Sequence, residues 1–138
     1  MRIVLDTNVL VSGLLTPFGS SGEIVRMLFS GELSLYIDVR ILSEYRDVLS
    51  RPKFQFNKEH IATLLLFIHQ NGIFVSTSPL SNHLPDIDDE PFLEVAIAGK
   101  AACLITGNMA HYPSSLRQKI KVLSPSKFLE YFREKQKK

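Results

Sequence analysis

Four positions carry oxygen-bearing side chains, three of them where ordered elements begin or end. Asp6 follows the apolar run Ile3–Leu5, Glu44 lies within a helical pattern, Asp89 belongs to the acidic run DIDDEP, and Asn108 closes the turn TGN. Three carboxylates and an amide at one place would repel, raising pKa values and costing stability, unless a cation sat among them. Oxygen ligands suit the hard divalent cations Mg²⁺ or Mn²⁺, which usually keep several waters. A metal held in this way can bind a phosphodiester oxygen and lower the pKa of a bound water for in-line attack. Singly, each residue has a plainer use: Asp6 in a turn or cap, Asp89 as a cap, TGN as a β-turn. The chemistry requires that the chain bring all four together.

The elements that must do so can be read in order. Ile3, Val4 and Leu5 meet an acid at once, and a new apolar periodicity begins at Val9, Leu10, Val11 and Leu14, so a buried strand runs into a helix with Asp6 at the joint. Thr7 or Asn8 can cap that helix, leaving Asp6 free at the carboxyl end of the strand, where open parallel sheets bind ligands. Ile24, Val25, Leu28 and Phe29 predict a second helix ended by Gly31, and Leu33–Ile37 a strand. Asp38 caps a helix stopped by Pro52, and Asn57 opens another that runs to Gly72 and the strand Ile73–Val75. After a polar loop, Thr77–Ile87, come a helix over about 92–98, the strand Ala102–Ile105, a strand Ile120–Leu123, and a C-terminal helix capped by Ser124 or Ser126. Alternating strands and helices predict an α/β fold with a mainly parallel sheet.

A helical residue turns about 100° around the axis, which tests where each acid faces. Glu44 flanks the apolar stripe of Ile41, Leu42, Tyr45, Val48 and Leu49, while Asp47 faces water. Projected onto the helix that starts near Phe92, Asp89 points inward, at the end where the helix dipole favours an anion, and Glu90 and Glu94 fall on the outer side. Pro91 fits the first turn.

Composition fits one soluble globular domain. The chain has 138 residues, 45% of them hydrophobic and 22% charged, which argues against a disordered chain. A net charge of +2 permits a nucleic-acid partner without requiring one. Cys103 is the sole cysteine, so no disulfide forms within the chain and a reducing, cytoplasmic setting fits. Apolar runs such as Leu64–Ile68 fall far short of the ~20 residues a membrane span needs. One domain over residues 1–132 and a basic, frayed tail over 133–138 are expected.

The blocks MRIVLDTNVLVSGLL, LSEYRDVL, DIDDEPFLEVAIAGKA and CLITGNMAHYP occur in this order over nearly the whole chain. Together they resemble the PIN-domain family, particularly the VapC-like toxins of bacterial toxin–antitoxin pairs. The resemblance implies a parallel five-stranded sheet flanked by helices on both faces, and Mg²⁺- or Mn²⁺-dependent endoribonuclease activity. It also implies homodimers and inhibition by a cognate antitoxin. By motif, Asp6 matches the first acid, Glu44 the helix acid and Asp89 the third, and Asn108 stands where many members have a fourth acid. The expected site is therefore Asp6, Glu44 and Asp89 as catalytic metal ligands, with Asn108 completing the metal set and Asn8 and Thr106 supporting it.

Other chemistries fit less well. His60, His69, His83 and His111 show no close pairing that would hold zinc, and each reads as a solvated or core histidine. No GxSxG, GxGxxG or P-loop occurs. A receiver-like domain phosphorylated on Asp6 lacks the acid pair expected beside the first strand, and a catalytically silent PIN-like module would serve only to bind protein. The helix Asn57–Gln70 carries more apolar width than one core-facing stripe needs, which marks it as a contact for a second copy or an antitoxin.

Overall fold

The N-terminal apolar run becomes the central strand of a parallel sheet. In a computed structural model describing residues 1–137, the strands are β1 (Arg2–Leu5), β2 (Ser34–Ile37), β3 (Ile73–Phe74), β4 (Cys103–Ile105) and β5 (Val122–Leu123). They form one sheet in the order β3-β2-β1-β4-β5, every pair parallel. Ile3 pairs with Leu35 on one side and Cys103 on the other, and Leu5 with Ile105. Ile3, Val4 and Leu5 are wholly buried, the pattern of a strand covered on both faces.

The helices are α1 (Thr7–Leu15), α2 (Ser20–Ser30), α3 (Val39–Leu49), α4 (Lys58–Asn71), α5 (Glu90–Gly99) and α6 (Pro125–Gln136). Adjacent strand residues point to opposite faces. Gly99 of α5 abuts the Tyr36 ring, whereas Gly72, at the end of α4, abuts Ile37, so helices cover both faces as expected. A Cβ on Gly99 would come within 2.9 Å of that ring, which explains the glycine. Three N-terminal caps fall where the sequence placed them. Asp38 accepts from the Ile41 amide (3.0 Å), Asn57 from Glu59 and His60 (2.9 and 3.1 Å), and Ser124 rather than Ser126 from Lys127 (3.3 Å). Gly31 closes α2 at φ 84°, a left-handed conformation that costs glycine nothing.

From β1 the chain steps outward to β2 and β3, then returns across β1 to β4, so the direction of winding reverses between β1 and β4. Asp6 and Thr106 follow the carboxyl ends of those two strands, at the switch point where open α/β sheets form their binding crevice.

Several expectations need correction. The last strand begins at Val122 rather than Ile120, because Gln118 and Lys119 turn the chain through left-handed conformations. α5 begins at Glu90, earlier than the apolar pattern suggested. Glu90 and Glu94 are buried rather than outward, each 7% exposed. The loop preceding α5 lies over its outer face: the Leu84 amide donates to Glu90 (2.9 Å), and the Leu80 amide and Arg40 donate to Glu94 (3.3 and 2.7 Å). α6 carries helix through Arg133–Gln136 of the expected tail, and Lys138 lies outside the described residues. Among the described residues no helix is long and apolar enough to cross a membrane.

Candidate metal centre

Asp6 is built into the junction of β1 and α1. It occupies the N-cap position of α1 in extended backbone, yet its side chain makes no capping bond. Neither Thr7 nor Asn8 caps the helix, contrary to the expectation for them, because both side chains are drawn away to other elements. The Thr7 hydroxyl donates to Glu44 Oε2, and Asn8 Oδ1 accepts from the Gly107 amide at 2.9 Å. Asp6 is 5% exposed, and its Oδ2 accepts from the Thr106 hydroxyl at 2.9 Å and the Tyr112 hydroxyl at 3.0 Å. Thr106 in turn accepts from the Asn108 amide at 3.0 Å. Asn8 and Thr106 therefore tie the first helix to the TGN turn.

Glu44 is half-buried on α3, as the helical phase predicted, and Asp47 is exposed. The next residue fixes its height: Tyr45 is fully buried and donates to the carbonyl of Leu5 at 2.5 Å, pinning α3 to the end of β1. Asp89 is 9% exposed and precedes α5 without a capping bond, which removes the plainer use considered for it. Its Oδ2 is buried and makes no hydrogen bond, although His111 Nδ1 lies 2.9 Å away, an ion-pair distance when that ring is protonated.

Burial raises the Asp6 carboxyl above its ordinary value, against the lowering effect of Thr106, Tyr112, the Thr7 amide and His111. Burial also raises Glu44, with the Thr7 hydroxyl opposing and the charge of Asp6 adding to the rise. Asp89 is pushed up to about 6, first by burial and then by Asp6, with His111 pulling the other way. Asp6 thus acts on both other acids, as anions gathered without a counter-ion do. Burial and the charge of Asp6 hold Tyr112 far above the usual phenol value, so it remains a donor. A phosphoacceptor role for Asp6 fits poorly with an oxygen already engaged by two hydroxyls.

Asn108 is exposed, and its Nδ2 lies 2.8 Å from His111 Nε2. Among the described residues, the group of three that offers ligand atoms within 4.8 Å of one another is Asp86, Asp89 and His111. Asp6 and Glu44 are not part of that close group. Sequence reasoning passed over Asp86 and Tyr112 and read His111 as a solvated or core histidine. The search for histidine pairs could not see His111, whose neighbour is an aspartate 22 positions earlier, although both it and Tyr112 lie within the block CLITGNMAHYP. Nearby charges are paired elsewhere: Arg40 is held by Asp38 and Glu94, and Arg51 by Asp47.

Residues 2–110 match the profile of the family described as PIN domain. An uncharacterized protein of Methanocaldococcus jannaschii is 29% identical to this chain, over 96% of the chain and 92% of its own length.

Proposed function

Because the chain belongs to the PIN-domain family, whose members are generally metal-dependent nucleases, we propose that it is a Mg²⁺- or Mn²⁺-dependent endoribonuclease. In this reading Asp6, Glu44 and Asp89 hold the metal, Asn108 stands beside them, and Asn8 and Thr106 keep the turn in place. The observation that carries it is the buried Oδ2 of Asp89, which accepts no hydrogen bond, beside the raised carboxyls of Asp6, Glu44 and Asp89. Such a group fits a divalent cation, and its all-oxygen acids fit a hard one. A cation there would supply Lewis acidity toward a phosphodiester and offset the repulsion among the acids.

The chain's own residues do the rest. Thr106 and Tyr112 hold Asp6 in one orientation and favour its charged form, Thr7 does the same for Glu44, and Tyr45 sets α3 against β1. Orientation set before substrate arrives is what a metal-assisted hydrolase needs from its scaffold. Resemblance to VapC-like toxins supports a toxin role in the cytoplasm, opposed by a cognate antitoxin. A homodimer through α4 is supported by Leu66, which is 56% exposed.

Purified protein incubated with RNA and Mn²⁺, with and without chelator, tests the enzyme reading. Internal cleavage that stops with chelator and is absent in Asp6→Asn supports it. Intact RNA at every metal tested overturns it in favour of a catalytically silent module, the outcome to which Asn108 in place of an acid would then belong.

A further inference from the structure

The cluster opposite Asp6 contains a nitrogen donor that the acid motif does not account for. We propose that His111 is a metal ligand through Nδ1, together with Asp86 and Asp89, and that Asn108 orients the imidazole instead of supplying a fourth carboxylate. The inference deepens the metal-centre reading above and rests on it.

Two independent observations point to a ligand here. One donor atom from each of Asp86, Asp89 and His111 lies within 4.8 Å of the others. Bonds of ~2.1 Å place the ligand atoms of a bound ion about 3 to 4 Å apart, so a small inward shift closes the group. Separately, Asp89 Oδ2 is buried and accepts no hydrogen bond, with His111 Nδ1 at 2.9 Å as its ion-pair contact. Native structures leave few buried oxygens so, and an ion is one explanation of such an oxygen. Asp86 is exposed, and one of its oxygens caps the Asp88 amide at 2.9 Å, leaving the other free.

The other side of the imidazole completes the arrangement. Metal-bound histidines almost always use their second ring nitrogen in a hydrogen bond that fixes tautomer and orientation. His111 Nε2 has such a partner, the side-chain amide of Asn108 at 2.8 Å. A half-turn of the amide exchanges its nitrogen for its oxygen in the same place, so it can hold the ring both before and after a metal takes Nδ1. An aspartate at 108 would add a fourth anion to acids that already raise one another, whereas a neutral imidazole adds a donor without charge. Imidazole also favours Mn²⁺ and the later transition metals over Mg²⁺, which prefers oxygen. The family match ends at residue 110, one position before His111.

Pulsed EPR on the full-length chain loaded with Mn²⁺ alone reads this directly. The expected result is a nitrogen coupling of bound imidazole in the wild type, absent in His111→Gln. The Mn²⁺ dissociation constant should rise at least tenfold in that variant, and the Mg²⁺ constant by less. Asn108→Ala should keep the nitrogen signal while weakening Mn²⁺ about ten- to a hundredfold. Bound Mn²⁺ without nitrogen coupling in the wild type overturns the inference; if the same sample cuts RNA in a chelator-sensitive way, the nuclease reading stands without it. Nitrogen coupling with no cleavage supports the inference and retires the nuclease. No Mn²⁺ binding overturns both.

Discussion

The Tyr112 hydroxyl donates to Asp6 Oδ2 at 3.0 Å, joining residues 106 positions apart in the chain. Tyr112 is fully buried. It holds Asp6 in place and, by bonding the charged form, offsets part of the desolvation that raises this carboxyl.

Tyr112→Phe keeps the ring and removes that bond. Hydrogen bonds to charged groups contribute about 1.5 to 3 kcal/mol, so unfolding free energy should fall by about that amount above the Asp6 pKa. Asp6 should become harder to ionise and Mn²⁺ should bind more weakly. Urea denaturation and a metal titration check the pair of effects; unchanged metal affinity would mean that Tyr112 serves packing alone.

A second substitution tests the strap over α5. Glu94 is 7% exposed, and Arg40 binds it at 2.7 Å while also holding Asp38 at 2.7 Å and Thr77 at 3.1 Å. Removing one partner of a buried pair leaves a charge without compensation. Arg40 is itself 42% exposed, so solvent screens part of the cost, and Arg40→Ala should lose about 1 to 3 kcal/mol. Glu94→Gln, which removes the buried charge, should lose less. Equal losses in the two variants would contradict the account.

These residues also mark what local sequence can and cannot reveal. Strand-to-helix joints, the caps Asp38 and Asn57, and the phase of Glu44 depend on near neighbours and were legible from spacing, which narrowed the last cap to Ser124 or Ser126. Glu90 and Glu94 were misplaced because a helical projection knows the helix but not the loop that later folds over it. Thr7 has a capping residue's chemistry, yet Glu44 of a different helix takes its hydroxyl. His111 and Tyr112 acquire their meaning only from Asp89 and Asp6, partners that folding alone supplies.

The raised pKa of Asp89 makes a prediction about pH. A carboxyl whose pKa is higher in the folded chain binds protons on folding. The metal-free protein therefore loses stability as pH rises from the ordinary value of 3.8 to about 6. Metal binding needs the deprotonated acid, so metal-dependent stabilisation should grow over the same window. Melting temperatures of wild type and Asp89→Asn between about pH 4 and about pH 6.5 check this. Without metal, the wild type should decline relative to the variant; with Mn²⁺, only the wild type should recover. A constant difference between the two across that range would show that Asp89 is not under the strain assigned to it.

The sharpest prediction concerns Asp6 itself, because asparagine separates charge from shape there. If Asp6, Glu44 and Asp89 share a metal, the metal-free fold carries their repulsion. A divalent ion then stabilises it by RT ln(1 + [L]/Kd), about 2.7 kcal/mol at a hundredfold excess over Kd. Asp6→Asn keeps an oxygen for the Thr106 and Tyr112 hydroxyls but discards a buried charge. The metal-free variant should be at least as stable as the wild type, lose most of the metal-dependent rise in melting temperature, and no longer cleave RNA. A structural role predicts another pattern, since asparagine serves as well as aspartate in a turn or cap: little change in stability, metal response or cleavage. Melting curves of both proteins with and without Mn²⁺, beside one cleavage assay, decide between them, and a variant that still cuts RNA and still responds to metal removes Asp6 from the centre.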